Sequence, residues 1–154
     1  MKSWLMGIKR LKACNEAIEW GKQFDTLGEA WQKCERGEWM LWLLGKLSGK
    51  PGSDSRKKLV LAACGCARLS LPYVPKGEIR PLRAIETAEA WARGDAGITL
   101  QMVKAAAAYA AYAAAAGAYA AYAAHAAYAA ARKATLKKCA DIVRQHYPEA
   151  PEVK

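Results

Sequence analysis

Apolar and polar positions alternate with a helical period along almost the whole chain. Trp4, Ile8, Leu11, Cys14 and Ile18 recur at intervals of three and four, with Lys9, Lys12, Glu16 and Glu19 largely off that stripe. This predicts one amphipathic helix, capped by Ser3 and ending near Trp20-Gly21. Asp25 and Thr26 open a short second helix, in which Thr26 and Glu29 have the spacing of a capping box. After Gly37, the segment Glu38 to Leu47 contains Trp39-Met40-Leu41-Trp42-Leu43-Leu44. A helix that is apolar on every side is expected to be buried on every side. So short a run also suits a strand, but tryptophans three apart and helical neighbours favour helix.

Gly49, Pro51 and Gly52 break the chain within a Gly45 to Ser55 loop. Asp54 or Ser55 caps the next helix, from about Arg56 to Ser70, whose small residues Ala62, Ala63, Gly65 and Ala67 allow close approach of another helix. Pro72, Pro75 and Pro81 exclude helix between Leu71 and Arg80, and Pro81 suits the first turn of a helix running to about Arg93. Ile85, Ala88, Trp91 and Ala92 face inward there. Glu86, Glu89 and Arg93 share the other face and read as a solvated ion-pair face, with Glu89 and Arg93 at the i,i+4 spacing. No nucleophile or histidine lies nearby in sequence to make the carboxylates catalytic. Gly94 to Gly97 is a turn, Thr99 caps a long helix, and Lys133 to Tyr147 forms the last one, with Leu136, Cys139, Ala140 and Val143 as its stripe. Pro148 stops it.

The long helix is the organising feature. From Ala105 to Ala131 alanine is interrupted only by five tyrosines, Gly117 and His125, and no charge lies between Lys104 and Arg132. Alanine has the highest helix propensity because it loses no side-chain entropy, and 27 residues would extend about 40 Å. The tyrosines do not form one stripe, since Tyr119, Tyr122, His125 and Tyr128 step by three and precess around the axis. Some therefore leave the core face, where tyrosine suits a partner interface. Gly117 is a break, a bend or a close-contact point. An uncharged face left open would also favour self-association, so a homo-oligomer through this helix is a further expectation. A membrane span fits less well, because the run has no Leu, Ile, Phe or Val.

Together these elements predict an all-α, single-domain bundle of about six or seven helices over residues 1–148, followed by a flexible tail at 149–154. Lys2, Lys9 and Arg10 interrupt the N-terminus, which lacks the apolar stretch of a signal peptide. The five cysteines, Cys14, Cys34, Cys64, Cys66 and Cys139, are odd in number and contain no CxxC pair. They read as reduced thiols of a cytoplasmic protein, not as a disulfide frame or a zinc site, even with His125 and His146 as possible extra ligands. Cys64 and Cys66 point about 200° apart on a helix.

The net charge of +10 raises nucleic acid as a partner, but nine basic and six acidic groups in residues 1–50, eight and five in 51–98, and seven and three in 99–154 spread the excess evenly. The basic clusters are Arg56, Lys57 and Lys58, then Arg132, Lys133, Lys137 and Lys138. They suit phosphates or an acidic protein surface equally. No phosphate loop, nucleophile elbow or metal spacing occurs, so neither an enzyme nor a cofactor is expected.

Several segments carry a family resemblance: Thr26-Leu27-Gly28-Glu29-Ala30-Trp31-Gln32-Lys33-Cys34, Gly37 to Leu44, Arg56 to Cys64, Ala84 to Gly94, the alanine-tyrosine tract, and Cys139 to Pro148. With these words in this order the chain resembles the immunity proteins, a family of short, alanine-rich bacterial and phage-borne proteins. In that family charged residues are scattered through the alanine tract, and here it has none. The resemblance implies an all-helical cytoplasmic protein that binds and neutralises a toxin by protein–protein contact, with no catalytic residues. A phage or mobile-element inhibitor of a defence factor, in the manner of an anti-CRISPR protein, is a related reading. Tyr109, Tyr112, Tyr119, Tyr122 and Tyr128, bordered by Lys104 and Arg132, are the candidate anchors; the seven clustered cations serve the nucleic-acid alternative.

Overall fold

The computed structural model describes the backbone of residues 1–108 and 125–154, and the side chains of 1–108 and 132–154. These residues are all-helical, with no strand among them. The elements are α1 (Ser3–Arg10), α2 (Asn15–Gly21), α3 (Leu27–Lys33), α4 (Gly37–Leu47), α5 (Asp54–Arg68), a 3-10 turn at Leu71–Tyr73, α6 (Arg80–Arg93), α7 (100–108) and α8 (His125–His146).

The first predicted helix is in fact two. Lys12 adopts φ 67°, and its N–H and that of Ala13 bond back to the Lys9 and Ile8 carbonyls. A non-glycine residue in the left-handed region costs about 1 kcal/mol. The resulting break lets α2 fold back on α1, so that Leu5 and Ile8 from one helix and Ile18 from the other enter the same core. Ser3 is the first helical residue and not the cap. Lys2 occupies that position, and its Nζ donates to the Phe24 carbonyl and pairs with Asp25 at 3.0 Å.

The capping box of α3 forms as expected: Thr26 Oγ1 accepts from the Glu29 N–H and Glu29 Oε2 from the Thr26 N–H. Ser53, instead of Asp54 or Ser55, caps α5, accepting from the Arg56 N–H. Thr99 accepts from the Met102 N–H at the start of α7, and Gly94, at φ 80°, closes α6.

The centre of the molecule is a stack in which α5 packs between α6 and α8, and α4 lies against α8. Two cysteines two residues apart show why. Cys64 Sγ faces the Ile85 carbonyl on α6, while Cys66 forms a disulfide with Cys139 on α8, with Cα atoms 4.9 Å apart. This corrects the expectation of five free thiols: Cys14, Cys34 and Cys64 are free. Small residues permit the approach. A Cβ built on Gly65 would lie 2.9 Å from Ile142 Cγ2, and one on Gly37 would lie 2.6 Å from Cys139 Cβ and 2.7 Å from the Ala140 backbone nitrogen. Ala62, Ala140 and Val143 have no exposed surface.

The tail, expected to be loose, is seated instead. Ala150 and Val153 pack against the core, Val153 covers Gly7 of α1, and the Pro148 carbonyl accepts from Gln32 Nε2 at 2.7 Å. The apolar side chains gain more by covering α1 and α3 than they would in water.

Candidate functional site

The tyrosine anchors fall largely beyond view. Tyr109, Tyr112, Tyr119 and Tyr122, together with Gly117, lie outside the described residues, as does the side chain of Tyr128. The two bordering cations are described, and both Lys104 and Arg132 are exposed.

The seven clustered cations do not form one surface. Antiparallel packing of α5 on α8 puts Lys58 Nζ over the Tyr147 ring, 4.4 Å from its centroid, and Cys66 beside Cys139. Arg56 to Lys58 therefore sit at the Tyr147 end of α8, fifteen residues from Arg132, which is about 22 Å along the axis. The α5 group is also occupied locally. Arg56 donates to the Gly49 carbonyl at 3.1 Å, and Lys57 Nζ lies 6.0 Å from the Trp91 ring. On α8, Lys137 pairs with Glu35 at 3.0 Å. Arg132, Lys133 and Lys138 are exposed and have no ion pair among the described residues.

The expected Glu89–Arg93 pair is replaced by a pair between helices. Glu89, whose side chain is 15% exposed, receives a two-pronged contact from Arg68 Nε and Nη2 at 2.8 and 2.7 Å, while Arg93 turns to Asp95. The Arg68 hydrogen bond holds the Glu89 carboxyl below its ordinary range. Its role is to tie α5 to α6.

A second correction concerns α4. Met40, Leu43 and Leu44 are buried, but Trp39, Leu41 and Trp42 are only partly so, because the helix is not covered on all sides. Between it and α1, α2 and α3 lies a cleft of about 400 Å³ lined by five of the six tryptophans, Trp4, Trp20, Trp31, Trp39 and Trp42, with Glu38 and Cys14 also on its wall. Trp20 and Trp39 form a tilted pair with ring centroids 5.7 Å apart. Trp4 Nε1 donates to the Asp25 carbonyl at 3.0 Å and Trp31 Nε1 to the Tyr147 carbonyl at 2.9 Å, which pins two of the walls. Arg144, a residue the sequence did not single out, donates to the Trp31 and Cys34 carbonyls at 3.0 and 2.7 Å and so satisfies the open end of α3.

Glu38, which lines the cleft at the start of α4, is paired on its other side with residues off the cleft wall. Arg36 donates through Nε to Glu38 Oε1 and through Nη1 to Glu16 Oε1 at 2.8 Å, and its guanidinium lies 4.3 Å from the centroid of Trp39. Glu38 Oε2 is buried and has no hydrogen-bond partner among the described residues. Of the three free cysteines only Cys14 is exposed. Burial pushes the Cys34 thiol up and Cys64 up to about 11, which leaves both unreactive.

No His/Cys/Asp/Glu cluster able to hold a metal ion occurs among the described residues, and no described helix is long and apolar enough to cross a membrane. Comparison of the chain with family models, with curated proteins and with solved structures gave no match.

Proposed function

We propose that this chain is a non-enzymatic protein inhibitor of the immunity-protein type, acting in the cytoplasm by covering a toxin or defence factor. The observation that carries the reading is the α8 surface beyond the disulfide. Arg132, Lys133 and Lys138 stand exposed and unneutralised on one stretch of α8 among the described residues. Such cations are available to an acidic partner, where charge complementarity speeds encounter and sets orientation. They adjoin the uncharged alanine-tyrosine tract, which in this reading is one long helix whose outward tyrosines supply the anchors. The same helix is the surface through which two copies would associate.

The test is co-expression with the toxin or defence factor encoded by a neighbouring gene. Protection of the cell and a stoichiometric complex are expected, and Arg132→Glu with Lys133→Glu and Lys138→Glu is expected to weaken both. Lack of protection with no complex would reject the proposal. The nucleic-acid alternative is weaker, because its seven cations split into two groups and four of them are already engaged within the fold. It predicts duplex binding that weakens steeply with salt.

A further inference from the structure

We propose that Cys66 and Cys139 form a redox-operated clamp at the root of the cationic stretch of α8, closed by a low-molecular-weight disulfide such as glutathione disulfide and opened by thiols. The use of that stretch rests on the inhibitor reading; the clamp itself is tested without a partner.

The position of the bond carries the inference. Along α8, Val143, Ala140 and Cys139 are buried, and no described side chain before Cys139 is: Arg132, Lys133, Ala134, Lys137 and Lys138 are exposed, Thr135 and Leu136 half-buried. The neighbouring helices end at the same level. Cys66 lies two residues before Arg68, the last residue of α5, and Gly37, which packs against Cys139, is the first residue of α4. The C-terminal part of α8 is fixed many times over, by Arg144 on the Trp31 and Cys34 carbonyls, by Trp31 on the Tyr147 carbonyl and by Ile142 against Gly65. Ahead of the disulfide, the one ion pair from another element among the described residues is Lys137 with Glu35, whose side chains are 59% and 55% exposed. Pairs so exposed hold little. The bond is thus the outermost buried attachment of α8 among the described residues, and the cations lie just beyond it.

Cys139 is buried and Cys66 partly exposed, so exchange with a small thiol or disulfide runs through Cys66. On closing, the Cys66 thiolate attacks one sulfur of the small disulfide, whose S–S bond breaks and releases one thiol. The Cys139 thiolate then attacks Cys66 Sγ and expels the second. Two protein thiols are oxidised, one small disulfide is reduced to two thiols, and the two protons pass to the released thiolates. Opening is the reverse. Cys34 and Cys64 do not compete, because both are buried and burial pushes their thiols up. Holding 132–138 in one orientation lowers the ordering cost of association, which makes the closed form the binding form.

The test uses the full chain carrying Cys14→Ser, which removes the exposed thiol, equilibrated in mixtures running from reduced to oxidised glutathione. Acid quenching, alkylation and mass spectrometry count the open and closed forms, and amide hydrogen exchange without denaturant follows 132–138. The pair is expected to pass reversibly from open to closed across the mixtures, and the 132–138 amides to exchange roughly tenfold more slowly when it is closed. Cys66→Ser with Cys139→Ser is expected to show the open rate in every mixture. A pair that stays closed in reduced glutathione alone, or that never closes, overturns the proposal. So does an exchange rate over 132–138 that is the same in both forms while only the unfolding midpoint moves, as a purely structural bond requires. If the double variant does not fold, the two forms of the Cys14→Ser chain decide it. Absence of protection on co-expression would reject the inhibitor reading and leave these rates unchanged.

Discussion

The two halves of the core are built on opposite principles. Around α1 to α4 the chain uses tryptophan, and around α5, α6 and α8 it uses alanine, glycine and cysteine. Large rings fill space but cannot all interlock across four short helices, so they enclose a cleft. Small residues let backbones approach until nothing larger fits, as at Gly65 of α5 against Ile142 and at Gly37, where α4 of the tryptophan half meets Ala140 of α8. The same bundle therefore holds a region that can admit a ligand and a region that cannot.

Substitutions should separate these regions, the largest effect coming from a ring that is both buried and hydrogen-bonded. Trp31→Ala removes a side chain that is 3% exposed and bonded to the Tyr147 carbonyl, and is expected to cost about 4 kcal/mol in denaturant unfolding. Trp42→Ala, on the open side of the cleft, should cost far less; equal losses would mean that the cleft is not open.

In the small-residue half, reducing the Cys66–Cys139 disulfide frees a loop closed across a sequence separation of 73 and is expected to cost about 4 kcal/mol. A comparison of unfolding midpoints with and without reductant measures it. A reducing cytoplasm would hold the pair open, leaving helix packing alone to join α5 to α8.

Gly37→Ala tests close approach directly. Its new Cβ meets a backbone nitrogen at 2.7 Å, so helix separation must give way, at an expected cost of roughly 2 kcal/mol. Gly45→Ala, whose Cβ would meet only Leu59 Cδ2 at 4.0 Å, is the control and should be neutral or slightly stabilising.

The smallest effect is one of pH. Glu89 has its carboxyl lowered by Arg68, so the pair contributes stability that is full above the unfolded carboxylate range, about pH 4.3, and is lost as pH falls through the lower folded value. Glu89→Gln should flatten that part of the acid unfolding curve. Glu78, drawn down to about 2 by Arg80, shows the same sign.

Local chemistry was readable from the chain because it depends on neighbours in sequence. The helical period, the Thr26–Glu29 capping box, the proline-bounded connection and the Gly94 turn all follow from short-range sterics and hydrogen bonds. The opposed directions of Cys64 and Cys66 were equally legible, since helix geometry alone sets them. What each faces was not.

Tertiary packing decided the rest. The break at Lys12 runs against local preference and is held by burial of Leu5, Ile8 and Ile18 in a common core. Glu89 chose Arg68 over Arg93 because α5 lies within reach, and Cys66 met Cys139 because α5 and α8 run antiparallel. The cleft left no trace in the sequence, where Trp39 and Trp42 look like the centre of a buried helix. Periodicity tells which face of an element is apolar, and only the positions of the other helices tell whether that face is covered.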